Sequence, residues 1–186
     1  MLKNLIFLLL LTLTANSLYA QFYKSVLPSP QFTSALEKIV LDFREDYRNI
    51  QGTAIEKLGE VEIYQSAVEL PGTVDCRITR YNSVVDTSSS WQAIVYTGDE
   101  YKEAAKAYQN IFRLVKKSQI KWIDRSSVGF SGEMEAPREE MRFTTSTLTL
   151  NLDDPRYKNY QAEIEIQFLY NRWEVHLNLS KKASIQ

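Results

Sequence analysis

The most regular pattern of apolar and polar positions lies toward the C-terminal end of the chain. Leu148 and Leu150 alternate with threonines, and Ile164, Ile166 and Phe168 alternate with Glu163, Glu165 and Gln167. Trp173, Val175, Leu177 and Leu179 then alternate with Glu174, His176 and Asn178. A period of two predicts strands with one dry and one wet face. Tyr170-Asn171-Arg172 between the last two strands predicts a tight hairpin connection.

Earlier segments carry the helical period instead. Leu36, Ile39, Val40, Phe43, Tyr47 and Ile50 recur at helical spacing, opposite Lys38, Asp42, Arg44, Glu45 and Arg48. Ser34-Ala35-Leu36-Glu37 has the spacing of a capping box and predicts the start of this helix, with Gly52 as its stop. A second helix is predicted after Gly98, with Asp99 as cap and Tyr101, Ala104, Ala105, Tyr108, Ile111, Phe112 and Val115 as its apolar stripe. Lys116 and Lys117 suit the negative end of its dipole.

Between the helices the composition turns to β-branched and aromatic residues, which favour strands. Tyr64, Ser66, Val68 and Leu70 predict a first strand ending at the Pro71-Gly72 turn. Val74, Cys76 and Ile78 predict a second, and Trp91, Ala93 and Val95 a third beyond the polar loop from Asp86 to Ser90. The three form an antiparallel meander. After the second helix, Trp122 and Ile123 predict a short strand or connector, and Ser126 to Arg138 the longest loop or an irregular edge strand.

The two parts of the chain resemble each other. Each has a capped helix, a strand (Ser66 to Leu70 or Ser146 to Leu150), an alternating middle strand, and a strand opening on Trp91 or Trp173. This suggests an α-β-β-β unit used twice, over 32–97 and 99–180, although the shared residues are few and convergent strand patterning accounts for the likeness equally well. The expected fold is α+β, with two amphipathic helices on one face of a mainly antiparallel sheet, in a single domain over 32–186. An extended lead-in with Pro28 and Pro30 occupies 21–31.

Residues 1–20 read differently. Lys3 supplies a positive start, Leu5 to Leu13 are apolar except for Thr12, and Ser17-Leu18-Tyr19-Ala20 ends on a small residue. That is the pattern of a secretory signal peptide. Its apolar run is shorter than the roughly 20 residues a membrane-spanning helix needs, and no cysteine stands near the cleavage point for a lipid anchor. The expectation is a secreted or periplasmic protein without an integral membrane segment.

Charge narrows the partners. With 22 basic and 23 acidic residues the chain is close to neutral, at −1. The basic residues are scattered among acidic ones, so no patch for nucleic acid is predicted. A single cysteine, Cys76, cannot form a disulfide within the chain, and its place in an alternating strand predicts a small buried hydrophobe.

Candidate chemistry is sparse. The one histidine, His176, falls on the polar side of the last strand and is expected to face solvent. One histidine and one cysteine far apart cannot supply the soft ligands of a transition-metal site. Glu133, Glu135, Glu139 and Glu140 cluster in the long loop without EF-hand spacing, and Asp153-Asp154-Pro155-Arg156 reads as a turn. No glycine-rich phosphate loop is present, and no cofactor is expected.

Aromatic residues give the positive signal. Tyr81 and Tyr96 fall opposite the dry residues of their strands, Tyr157 and Tyr160 in a polar loop, and Phe143 away from Leu148. Together with Arg77, Thr79, Gln92 and Ile94, the residues Tyr81 and Tyr96 could form a recognition face; the alternative is that such aromatics simply cover sheet edges. The expected function is therefore an exported, non-enzymatic module for a protein or peptide partner. A carboxylate-dependent cell-envelope hydrolase built on Glu163, Glu165, Glu174 and His176 is the alternative. A structural subunit of an envelope assembly is a third.

Overall fold

A computed structural model describes residues 27–83 and 87–182. The predicted signal peptide and most of the predicted lead-in lie outside the described residues.

The first helix, α1 (Pro30–Asp42), begins earlier than the capping box predicts. Ser29 caps it, its hydroxyl accepting the Phe32 N–H at 3.1 Å, and Pro30 occupies the first turn. Proline has no amide hydrogen to leave unpaired there and its φ is already helical, so the Ser29-Pro30 pair starts the helix before Ser34 can. Glu37 is released from capping and accepts the Lys121 N–H at 2.8 Å.

The predicted helical stripe runs on to Ile50, but the helix does not. After a single 3₁₀ turn at Phe43–Glu45 the chain reverses through Asp46 and Tyr47, both at positive φ. The Asp42 carboxylate holds this reversal by accepting the N–H groups of Asn49 and Ile50 at 3.0 and 3.2 Å. Tyr47 and Ile50 are buried as expected, though by a turn.

Four strands follow: β1 (Gln51–Leu58), β2 (Val61–Ser66), β3 (Asp75–Tyr81) and β4 (Ser89–Gly98). Gly52 lies inside β1 and stops nothing. The predicted strand through Val68 and Leu70 ends at Ser66, whose side chain both donates to the Val68 carbonyl and accepts the Val68 N–H, replacing the strand ladder with a turn. Leu70 is buried from the loop that follows, while Val74 is 62% exposed instead of facing inward beside Cys76.

The second helix, α2 (Tyr101–Lys117), starts at Glu100 without a side-chain cap, so Asp99 does not cap it. Its predicted stripe is buried at Ala104, Tyr108, Ile111, Phe112 and Val115, joined by Ala107 and Leu114. The remaining strands are β5 (Gln119–Lys121), β6 (Ser127–Ser131), β7 (Phe143–Leu150), β8 (Tyr160–Leu169) and β9 (Arg172–Lys181). Tyr170 and Asn171, both at positive φ, make the two-residue turn between β8 and β9, as that connection requires. Asp154 caps the 3₁₀ turn Pro155–Tyr157 by accepting the Arg156 N–H.

The strands form one nine-stranded sheet in the order β1-β2-β3-β4-β9-β8-β7-β6-β5, antiparallel throughout. The fold is thus α+β with a mainly antiparallel sheet. Inward residues of the sheet, including Ile78, Trp91, Ala93, Ile164, Val175 and Leu177, share a single hydrophobic cluster with the buried residues of both helices. Each buried valine, leucine or isoleucine among them contributes about 1.5–3 kcal/mol relative to exposure.

Tyr157 and Tyr160 belong to this core and not to a polar surface. The Tyr157 hydroxyl donates to the Val40 carbonyl at 2.8 Å, tying the end of α1 to the sheet, and burial pushes this phenol up to about 12. The Tyr47 hydroxyl meets that of Tyr160 at 3.3 Å and donates to the Leu179 carbonyl at 2.8 Å. No helix among the described residues is long and apolar enough to cross a membrane.

Candidate functional site

Pleating assigns every second residue of the sheet to the face away from the core. Strand register then arranges the outward residues in rows that cross the sheet. At the β1 side the end row is apolar and the next is mixed, with Glu56 beside Ile63. Leu58 opposes Val61, which opposes Tyr81, and Ile63 opposes Thr79 in the next row. Leu58 is 59% exposed and Tyr81 39%.

Five of the six residues predicted as a recognition face lie together on this side. Arg77 opposes Gln92, Thr79 opposes Ser90, and Asp75 opposes Ile94. Asp75 accepts from Arg77 and, at 3.0 Å, from Gln65. Burial alone would push the Asp75 carboxyl up, but these bonds and the Arg77 charge bring it below the usual carboxylate range. Gln92 donates to Asn178 across the seam between β4 and β9 at 2.7 Å.

Tyr96 is separated from the other five. A register shift between Ile94 and Tyr96 inserts a bulge into β4, which re-aims the side chains beyond it. The Tyr96 ring lies against Gly98 and the core, with its hydroxyl 3.4 Å from the Glu100 carbonyl.

On the β7 side the outward rows become polar. Asn178 opposes Glu163, which opposes Thr147; His176 opposes Glu165, which opposes Thr145; Glu174 opposes Gln167, which opposes Phe143. Phe143 points outward as predicted and is 51% exposed. Beside Glu163, a cleft of about 350 Å³ is lined by Thr147, Thr149, Asn159, Gln161 and Lys182. A larger depression of about 500 Å³ lies elsewhere, between α1 and residues 67–69.

His176 does not face solvent as its strand position predicts: it is 8% exposed. The central place of β9 explains this, because β4 supplies Ile94 on one side of the ring and β8 supplies Glu165 on the other. The ring Nε2 lies 2.9 Å from Glu174 Oε2 and 3.3 Å from the Gln167 amide. If Nε2–H donates to Glu174, Nδ1 is left as a bare acceptor. Among the described residues, His176 Nδ1 and Thr145 Oγ1 are the two buried side-chain polar atoms without a hydrogen-bond partner.

Glu163 accepts from Gln161 at 2.7 Å, yet burial and then the neighbouring Glu165 charge raise its carboxyl above the usual range, against a smaller opposing influence of Lys182. The four residues named for hydrolysis thus share one face, but only Glu174 and His176 are hydrogen-bonded to each other. No group of three His, Cys, Asp or Glu side chains among the described residues is arranged to hold a metal ion. The buried state of His176 is what sequence reasoning missed; the signal available was its alternation position combined with a pairing of β4 with β9, which the sequence does not reveal.

The chain matches no family model, no curated protein and no solved structure.

Proposed function

We propose that the protein is an exported, non-enzymatic module that binds an extended peptide segment of a partner protein on the outward face of its sheet, next to the β1 edge. The observation that carries this is the row of Leu58, half-buried Val61 and Tyr81, exposed at both ends, at an edge whose residues from Thr53 to Leu58 are all exposed. The opposite edge is closed differently: β5 is three residues long and its Lys121 N–H is taken by Glu37. An extended chain laid beside β1 would meet free backbone groups and an apolar row together, the combination that strand addition uses. Export rests on the pattern of residues 1–20, and the duplicated unit is supported by the register. The offset that carries Trp91 onto Trp173 carries Ile94 onto His176, and these two oppose each other.

Selection of a random displayed peptide library on the purified protein tests the binding reading. Peptides should be enriched that bind the wild type and lose about ten-fold or more in affinity with Tyr81→Asp or Leu58→Asp, since anchors at the centre of a contact dominate its energy. No enrichment, or binding indifferent to both substitutions, overturns it.

A carboxylate-dependent hydrolase remains the second reading, favoured by the 2.9 Å contact of His176 with Glu174. It requires turnover of an envelope polymer that Glu174→Gln abolishes without unfolding the protein.

A further inference from the structure

We infer that a bulge in β1 opens a pocket on the inner side of the sheet edge, and that this pocket takes one large apolar side chain, of leucine, methionine or phenylalanine, from the docked peptide. The inference rests on the peptide-docking reading for the strand that carries this side chain, and assigns that strand a sequence preference.

Strand register makes the pocket. Ala54 opposes Tyr64 and Glu56 opposes Ile63, so Ile55 is an extra residue without a partner on β2. Tyr64 opposes Ile78 of the core, which puts Ala54, Lys57, Glu62 and Tyr64 on the inner face, while Glu56, Leu58 and Ile63 face outward. Ala54 and Lys57 thus stand three positions apart, opposite Tyr64 and Glu62, which stand two apart. The extra length leaves a gap. A depression of about 240 Å³ is lined there by Ala54, Ile55, Glu56, Lys57, Glu62 and Tyr64.

The polar groups of its inner face are already matched. The Lys57 ammonium and the Tyr64 hydroxyl donate to the two oxygens of Glu62, at 2.7 and 2.8 Å, and hold its carboxyl below the usual carboxylate range. Arg80 lies over the Tyr64 ring at 5.2 Å and spends its N–H groups on the Asp46 carbonyl and Gln51. A charged side chain directed to this face would be desolvated without a new partner. What remains unmatched is apolar surface: the Ala54 methyl, Ile55 at 46% exposed, and the Tyr64 ring.

The position of the pocket decides how its occupant arrives. It opens at the sheet edge, where no strand pairs with the outer side of β1 among the described residues, so backbone groups for strand addition stand directly beside it. Side chains of an added strand alternate between the two faces, and neighbouring strands lie about 4.8 Å apart, which sets one inward side chain over the gap. A peptide residue beside Leu58 faces outward. The pocket residue therefore stands an odd number of positions from it.

Peptides selected on the wild type test this when measured again on Ala54→Phe, which fills the pocket from an exposed position, and on Ile55→Ser, which removes an apolar wall. Selected peptides should share one large apolar residue at that odd spacing, and its replacement by alanine should weaken binding about ten-fold, as for an anchor in a pocket. Ala54→Phe should weaken the parent peptide by a similar factor and leave the alanine-substituted peptide unchanged, with a urea melt like that of the wild type. Ile55→Ser should weaken the parent peptide in the same direction, and decides the matter if Ala54→Phe does not fold. Peptides without a shared apolar position, or parent and substituted peptides weakened equally by both variants, overturn the pocket.

The two proposals fail distinguishably. Peptides that need Leu58 and Tyr81 but are indifferent to Ala54→Phe and Ile55→Ser leave the docking reading standing and overturn the pocket. Absence of any enriched peptide overturns the docking reading and the pocket with it. A dimer that light scattering detects in the wild type, that Ala54→Phe dissociates and that no peptide displaces makes a second copy of this chain the occupant, and overturns the partner peptide.

Discussion

The indole N–H of Trp91 donates to the Ser66 hydroxyl at 2.9 Å in the core, joining β4 to the end of β2. The same hydroxyl oxygen accepts the Val68 N–H at 3.2 Å and donates its hydrogen to the Val68 carbonyl at 2.7 Å. One small side chain therefore satisfies a buried indole and terminates a strand. Ser66→Ala should cost about 1–3 kcal/mol, the range for leaving buried partners unmatched. Urea melts would measure it, and the cost should fall in a Trp91→Phe background, where the indole donor is gone. Additive effects in that double-mutant cycle would show that the bond carries no stability.

Asp42 plays the corresponding part at the end of α1. It is 7% exposed and accepts the Asn49 and Ile50 N–H groups together with the Asn49 amide at 2.6 Å. Removing the carboxylate leaves backbone donors without an acceptor where the chain turns through Asp46 and Tyr47. Asp42→Ala should lose about 2 kcal/mol by chemical denaturation, and Asp42→Asn less, because its amide oxygen can still accept. An Asp42→Ala protein as stable as wild type would mean that Tyr47 and Ile50 alone fix the reversal.

What was readable from the sequence follows from how far each signal travels. Alternation in β8 and β9 is local, and it placed Ile164, Val175 and Leu177 inward correctly. β1 left no such signal, because an edge strand exposed from Thr53 to Leu58 has no dry face to impose a period. Val68 and Leu70 imitated a strand because their alternation continues that of β2, while the Ser66 bonds that end it depend on three-dimensional placement. The outward placement of Arg77, Thr79, Tyr81, Gln92 and Ile94 followed from strand parity. The burial of His176 did not, since it needs Ile94, on a strand far away in the chain, beside the ring as well as Glu165 of its own hairpin. Tyr157 and Tyr160 look like loop residues in sequence and are core residues because α1 and the sheet close over them.

Glu163 is held at a cost to stability. Its carboxyl is raised by burial and by the Glu165 charge, so the folded protein favours the protonated form more than the unfolded chain does. The stabilising contribution of that protonated form is fully present below the ordinary glutamate range and is lost as pH rises through the raised folded value. At neutral pH the ionised side chain is therefore a net cost, and Glu163→Gln should melt above wild type. The difference should shrink to nothing on acidification below the ordinary range. Thermal melts of both proteins from about pH 8 to about pH 3 test the sign; a Glu163→Gln protein less stable at neutral pH would show that its carboxylate is held by favourable contacts instead.

Cys76 reports on the loop that covers it. The side chain is 1% exposed, and burial is the main cause that raises its thiol above the usual value, with the charges of Glu69 and Asp75 adding to it. Its cover is the turn from Leu70 to Thr73, where the Thr73 hydroxyl donates to the Leu70 carbonyl at 2.7 Å and lies 3.2 Å from the sulfur. This turn joins β2 to β3 outside the sheet ladder, and Val74 beside it is exposed, so it can open without unfolding the core. The native thiol should resist a disulfide reagent far longer than the unfolded chain, yet react at a rate set by opening of the turn and not by global unfolding. Thr73→Val removes the clasp and should speed labelling about five-fold, the equivalent of one hydrogen bond worth about 1 kcal/mol. Global stability should fall by the same free energy, so the reading that separates the two routes is the labelling rate without urea compared with the global unfolding rate. Labelling that tracks global unfolding in both proteins would show that residues 70–73 open only with the sheet.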